Sequence, residues 1–269
     1  MRVLAAQPLL PVGPALAVAL LVLLLAAAAT AAVFRLAPDG SRGRAREILI
    51  AGARATAQLA VVSLVIGWVA HQTAALLAFL LLMFAVATRT AGRRVTANGT
   101  WWRTALPIAG PVLPVVSGLV LGGLLPPRGI AMIPVTGILI GGALTATVLA
   151  GRRCLDELRT RHGEFEAGLA LGLADRDARL EVVRPAASDA LLPGLDQTRT
   201  VGFVTLPGAF VGMLLGGASP VLAGAVQLFV LVALMAVQAV AVALTVELVA
   251  RGRLHREEPG ASPAAGSQA

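Results

Sequence analysis

The sequence predicts an all-α fold: a polytopic membrane helix bundle of about seven transmembrane helices with one long cytoplasmic loop. Three observations lead there. Of 269 residues, 57% are apolar and only 13% charged, and several uninterrupted apolar runs reach the ~20 residues that a helix needs to cross a bilayer. These runs are continuous and rich in Ala, Leu and Val, without the alternation of a barrel strand. Backbone polar groups in hydrocarbon must pair within their own segment, so helices are expected. The arginines lie mostly between the runs, which is a topological signal and not a nucleic-acid stripe.

All 22 basic residues are arginine. A phosphate-binding loop of the G-x-x-x-x-G-K-[ST] kind needs a lysine, so any ATP-driven work falls to another subunit and no enzyme activity is assigned. The net charge of +8 is not matched by stacking residues, with 4% aromatics and no Tyr, so no nucleic-acid partner is expected. A single cysteine excludes an intrachain disulfide and a cysteine-cluster metal site. Cys154, beside Arg152 and Arg153, reads as an ordinary residue, and no cofactor is expected.

Taken in order, residues 1–14 are short and Pro-rich, and the first span covers about 15–34. Its Arg2, apolar core and small residues at 26–32 also resemble a signal peptide. Cleavage would strand Arg35, Arg42, Arg44 and Arg46 outside, so a retained helix with its N-terminus outside is favoured. The second span, about 48–69, carries Arg54 and Gln58 four residues apart on one face. That pair either faces a cavity and touches a polar or anionic group, or is an interfacial Arg snorkelling to lipid phosphate. A short outer turn at 71–73 leads to the third span, about 74–88, and then to a loop with Arg89, Arg93, Arg94, Arg103 and the interfacial pair Trp101 and Trp102. The fourth span, about 104–125, holds Pro107, Pro111 and Pro114 and is expected to be the discontinuous wall of a pathway; a kinked packing helix is the alternative. The fifth, about 130–150, contains Pro134, Thr136, Gly137, Gly141 and Gly142, with Gly137 and Gly141 spaced for close helix approach in the core or at a dimer seam.

The insertion from 151 to 199 holds eight Arg and nine acidic residues and is expected to be soluble. Phe165, Leu169 and Leu173, spaced by four, form one apolar helix face, preceded by Glu164 and Glu166 and interleaved with Gly168 and Gly172. A sixth span, about 200–215, is interrupted by Pro207 and Gly208. The seventh, about 221–249, carries Gln227, Gln238 and Glu247. Residues 1–253 are read as a single transmembrane domain with 151–199 as its cytoplasmic loop, and 254–269 as a disordered tail. With the N-terminus outside, 19 Arg fall on the cytoplasmic side and only Arg2 and Arg128 outside, so the C-terminus is placed in the cytoplasm. A bacterial inner-membrane type of plasma membrane is the expected location.

The stretches 131–141 (AMIPVTGILIG) and 196–208 (DQTRTVGFVTLPG), together with Gly52 to Gln58, resemble the FetB family of iron-export ABC transporter permeases, and plant aluminium-tolerance permeases are similar. The resemblance is strongest over about 130–251. It implies a homodimeric permease in the lipid bilayer working with a separate ABC ATPase subunit. Glu166-Ala167 then resembles the coupling loop of such permeases, which makes Glu164, Phe165, Glu166, Gly168, Leu169, Gly172 and Leu173 the ATPase-docking residues. Arg54, Gln58, Pro111, Pro134, Thr136, Gly141, Gly142, Thr205, Pro207 and Gly208 are the candidates for the translocation path. Relatives often carry Asn after the Gly of the fifth helix, where this chain has Gly142.

Transition metals favour clusters of carboxylates, imidazoles or thiolates, and no span holds a central Asp, Glu or His. Backbone carbonyls at Pro-broken helices, with Thr136 and Thr145, would give a weak oxygen-lined path. Iron as cargo therefore follows from the resemblance alone. The alternatives are an ATP-independent secondary transporter or channel for a small polar or anionic solute, which the lack of intramembrane carboxylates disfavours for proton coupling, and a membrane scaffold.

Overall fold

The computed structural model describes residues 13–37, 43–96 and 98–256. The expected disorder of 257–269 and the topological assignments of Arg2 and Arg42 lie outside the described residues. Two compact units emerge, 1–69 and 70–269.

In the first unit, α1 (Pro14–Val33) starts on a proline, where the missing N–H costs no helix hydrogen bond. In α2 (Gly43–His71), Gly52 admits the Leu24 side chain of α1; a methyl there would lie 2.7 Å from Leu24 Cδ1.

Helices are the regular secondary structure of the second unit among the described residues, apart from an isolated bridge between Val201 and Thr205. Its helices are α3 (Thr73–Val95), α4 (Ala105–Leu121), α5 (Gly129–Thr160), α6 (His162–Ala170), α7 (Asp175–Ala187), α8 (Leu192–Thr200), α9 (Gly208–Leu215) and α10 (Pro220–Ala250), with 3-10 turns at Gly99–Thr104 and Ser188–Leu191. Along the chain, α1, α2, α3, the 99–121 stretch, α5 and α10 are long and apolar enough to cross a membrane. α10 and α5 form the centre, joined by α3, α4 and α7. The seam is built from small residues: Ala143, Ala146 and Ala150 on α5 meet Val237, Ala241 and Val249 on α10 in one buried cluster. Without a hydrophobic driving force in lipid, such close backbone approach supplies the packing that holds helices together.

Two departures from the sequence reading, in the fourth span and at the start of the tail, have physical causes, and the sixth span and the 151–199 insertion gain detail. The fourth span is one continuous helix, α4, despite its prolines. Pro107 sits in the first turn, where no N–H is needed, and Pro111 and Pro114 each remove a single bond while Ile108, Pro111 and Val112 are buried. The sixth span is interrupted as expected, and over a longer stretch than the Pro207-Gly208 pair: α8 ends at Thr200, residues 201–207 are non-helical, and α9 has only eight residues.

The 151–199 insertion folds as helices that pack on the bundle. α5 runs 32 residues to Thr160, about 48 Å at 1.5 Å per residue, and α7 buries Ala178, Leu180, Val182, Val183 and Ala187 against it and α10. Finally, the start of the expected tail is packed. Leu254 is fully buried, and Arg256 donates from Nε to the Val95 carbonyl at 3.0 Å and from Nη1 to Asp156 at 2.5 Å.

Gly92 marks a tight corner of backbone against backbone. It abuts the 3-10 turn at Trp101, where Thr104 Oγ1 lies 2.8 Å from the Trp101 carbonyl and 3.0 Å from that of Thr88.

Candidate functional site

Two regions collect part of the sequence-predicted residues of the second unit. The first is the path that α7, α8 and α9 trace along α10. Arg176, near the start of α7, donates from Nε to Glu247 Oε1 at 2.9 Å, and Arg251 also pairs with Glu247. Further along, Gly194 of α8 lies against the Gln238 side chain. Val201, Gly202, Leu206 and Pro207 then share a cavity of about 190 Å³ with Gln227, Leu228 and Leu231. The chain thus climbs antiparallel to α10, and its helix is interrupted at the level of Gln227.

The break has a local cause. Gly202 takes φ +86°, a left-handed conformation costly for other residues, and Pro207 supplies no N–H and acts as N-cap of α9. Thr200 O accepts from Val204 N at 2.9 Å and Thr205 O from Gly202 N at 2.9 Å, closing a compact turn. The turn exposes Phe203 by 98% and Val204 by 77%.

Gln227 and Gln238 are buried polar groups of α10, and sequence reasoning noted them without a role. Gln238 is boxed between α8 and α5, since a methyl on Gly142 would lie 3.5 Å from its Nε2. Gln227 Oε1 is buried with no hydrogen-bond partner. What distinguishes them is the segment packed opposite, which composition does not show.

Of the path candidates, Thr205, Pro207 and Gly208 sit at this break, and Gly142 abuts α10 on its α5 side. The others are scattered. Thr136, with an unpartnered buried hydroxyl, lines a separate apolar cavity of about 330 Å³ between α3, α4 and α5. Pro111 is buried in α4, and Pro134 and Gly141 are exposed on α5. Arg54 and Gln58 are exposed on α2, in the first unit. Among the described residues no group of three or more His, Cys, Asp or Glu could hold a metal ion.

The second region is the α6–α7 hairpin. α6 ends in a left-handed cap: Gly172 has φ +90°, Leu173 N–H donates to Gly168 O at 3.1 Å and Gly172 N–H to Leu169 O at 2.9 Å. This two-bond C-cap satisfies the last carbonyls and explains why a glycine stands at 172. Gly168 lets α7 approach, since a methyl there would be 3.2 Å from Ala178 Cβ. Of the apolar stripe, Phe165 is half-buried under Arg179, whose guanidinium carbon lies 5.4 Å from the ring centroid, and His162 meets the ring edge-on. Leu169 and Leu173 are exposed by 40% and 42%. Leu171, absent from the predicted stripe, is 85% exposed because the cap turns it outward. Glu166 pairs with His162 across one turn, and Glu164 accepts from Arg161 Nε at 2.7 Å. That guanidinium holds the Glu164 carboxyl below the usual carboxylate range, so the first turn of α6 stays negative at neutral and mildly acid pH.

The whole bundle, from the first helix to the end of α10, matches one family model. Residues 14–253 fit the Uncharacterised protein family (UPF0014). The chain belongs to the UPF0014 family. Similar UPF0014 relatives include the "UPF0014 membrane protein STAR2" of Oryza sativa subsp. japonica, 35% identical over 75% of this chain and 72% of that one. "Protein ALUMINUM SENSITIVE 3" of Arabidopsis thaliana is 34% identical over 69% of each chain. "Probable iron export permease protein FetB" of Escherichia coli (strain K12) is 30% identical over a shorter stretch, 42% of this chain and 43% of that one. No solved structure matches. This UPF0014 chain is a multi-pass membrane protein of all-α architecture.

Proposed function

We propose that this chain is the membrane-spanning permease subunit of an ABC transporter, exporting iron or another metal ion and powered by a separate ATPase that docks on α6. The observation that carries the reading is the exposed apolar surface of Leu169, Leu171 and Leu173 at the C-terminal end of α6. It is held by α7 and α5 and flanked by Arg161, Glu164 and Glu166. Charges of both signs disfavour burial in lipid, and a stable apolar patch with a charged rim suits a protein partner. The iron-export name of the FetB relative supports the cargo. The exposed backbone turn at 201–207 supports a second copy of the chain, because non-helical backbone at membrane depth must face protein or a water-filled cavity.

The test is co-expression with an ABC ATPase, co-purification, and ferrous-ion export from loaded cells. Leu169→Asp should abolish ATPase retention and export while leaving membrane insertion intact, since loss of a central apolar anchor costs about 2 kcal/mol or more. Wild-type retention by that variant removes α6 from the interface. Phe165→Ala should act more weakly, because Arg179 already covers the ring.

Orientation follows from the arginine distribution. A cysteine tag at Gly163 should react with an impermeant thiol reagent only after the cytoplasmic side is opened. Labelling in intact cells would reverse the topology.

A further inference from the structure

We propose that the C-terminal end of α3 carries a headgroup site for an anionic phospholipid, in which Arg89 and Arg93 grip the phosphate beside Trp101. The proposal needs only that α3 crosses the bilayer, and it is independent of the cargo and of any ATPase. Arg89, Arg93, Thr96, Asn98 and Trp101 line a cavity of about 360 Å³. That is on the order of ten times the roughly 30 Å³ share of a water molecule, room for a phosphate ester with part of its glycerol. Counted from Thr73 at 1.5 Å per residue, the two arginines stand about 24 and 30 Å along the helix. The hydrocarbon core is about 30 Å thick, so they reach the level of the headgroups.

The lining suits an anion because the cations are the groups left without a partner. Thr100 N donates to Asn98 Oδ1 at 3.0 Å, Thr96 Oγ1 donates to the same oxygen, and Asn98 Nδ2 donates to His255 O at 2.8 Å. The amide is therefore occupied inside the fold. Among the described residues neither guanidinium has a hydrogen bond or ion pair, and no carboxylate lines the cavity. Arg89 and Arg93 are four apart on one helix face, so each repels the other, and an oxyanion shared between them reverses that. Guanidinium donors match phosphate oxygens two at a time. The far wall is fixed, since Gly92 holds the turn at Trp101 against α3, backbone to backbone.

What lies along the helix from the arginines favours a lipid over a soluble anion. Leu82, Val86, Arg89 and Arg93 are spaced by four, three and four, which places them in one stripe of α3. Leu82 and Val86 are both exposed. The stripe thus passes from apolar to cationic as it leaves the hydrocarbon, the same order as an acyl chain and its phosphate. Trp101 is also exposed, and its ring is of the kind that settles at headgroup depth. Basic pockets at the ends of membrane helices suit anionic headgroups. The competing occupant within the chain is the carboxylate pair Glu257 and Glu258. It directly follows Arg256, whose Nε donates to Val95 O at 3.0 Å.

The experiment embeds the full chain in nanodiscs of equal phosphatidylglycerol and phosphatidylcholine, whose phosphate is balanced by its own choline. Native mass spectrometry then reads which lipid stays bound. The wild type should keep a single phosphatidylglycerol at least tenfold more often than a phosphatidylcholine. Arg89→Gln/Arg93→Gln should lose that preference. Arg35→Gln/Arg46→Gln, which removes the same charge from exposed positions of the first unit, should keep it. Arg89→Lys/Arg93→Lys retains the charge without the paired donors; it should fall between, and it carries the test if the glutamine pair misfolds. Glycerol phosphate, a similar head without chains, should displace the lipid at least a hundredfold less well than phosphatidylglycerol does. Equal retention of the two lipids by the wild type, full preference in the glutamine or the lysine pair, or loss of preference in the control pair would each overturn the site. Displacement by glycerol phosphate as effective as by phosphatidylglycerol would assign the pocket to a soluble phosphate and overturn the lipid. A preference that emerges only in Glu257→Gln/Glu258→Gln would give the pocket to the chain's own carboxylates and overturn it as well.

Discussion

Gly92→Ala is expected to lower the thermal stability of the purified protein sharply and to reduce its yield in membranes. The added methyl would lie 2.8 Å from the carbonyl carbon of Trp101 and closer still to its oxygen. Backbone, unlike the end of a flexible side chain, does not swing aside. The Trp101 carbonyl is also tied to the fully buried Thr104 hydroxyl at 2.8 Å, so the turn has little room to retreat. Overpacking of this kind costs about 3 kcal/mol, well above the roughly 1 kcal/mol that Ala gains over Gly in a helix interior. Gly118→Ala on α4 is the control, since nothing lies within 4 Å of its added methyl. It should be neutral or slightly stabilising. Equal unfolding midpoints for the two variants would mean that the corner is not packed backbone against backbone.

The second large effect concerns where α8 sits. Gly194→Ala should cut ferrous-ion export at least tenfold, and Gln238→Ala in the same chain should restore most of it. A methyl at 194 would overlap Gln238 Oε1 and lie 3.1 Å from its Cδ. The amide is buried, and Gly142 closes its other side, so it has no open space to enter. Either the amide is expelled or α8 is pushed off α10, and the break beyond it moves as well. Shortening Gln238 removes the obstacle. Such coupling between touching residues is worth about 0.5–3 kcal/mol. If the two substitutions merely add in export and in unfolding midpoint, the contact does not position α8.

The spans were readable because the apolar runs are long and the arginines fall between them. Phe165, Leu169 and Leu173 were readable as one face because four-residue spacing survives any packing. That the fourth span would stay continuous was not readable. Pro111 and Pro114 follow residues that bury well as helix, whereas Pro207 follows Gly202 and a β-branched run that settles into a turn. The burial of α7 was hidden by its charges. Arg176 and Arg179 reach across to Glu247 and Phe165 and Arg184 is exposed, while Ala178, Leu180, Val182 and Val183 turn inward, and no charge count separates those faces. Leu171 was missed because its exposure comes from the left-handed glycine after it.

The residues just after α10 bear on the order of assembly. Asn98 Nδ2 donates to His255 O at 2.8 Å, Arg256 to Val95 O at 3.0 Å, and Arg103 to the Arg253 carbonyl. These partners are 157, 161 and 150 residues apart. A chain emerging from the ribosome at about 5–20 residues per second makes α3 and its following turn many seconds before the segment that latches them. Until then the Val95 carbonyl and the Asn98 amide must be served by water or by a helper. The polar end of the bundle is therefore closed last, and a ribosome stalled before residue 251 would release a protein with its membrane helices complete and this corner open to quality-control proteases.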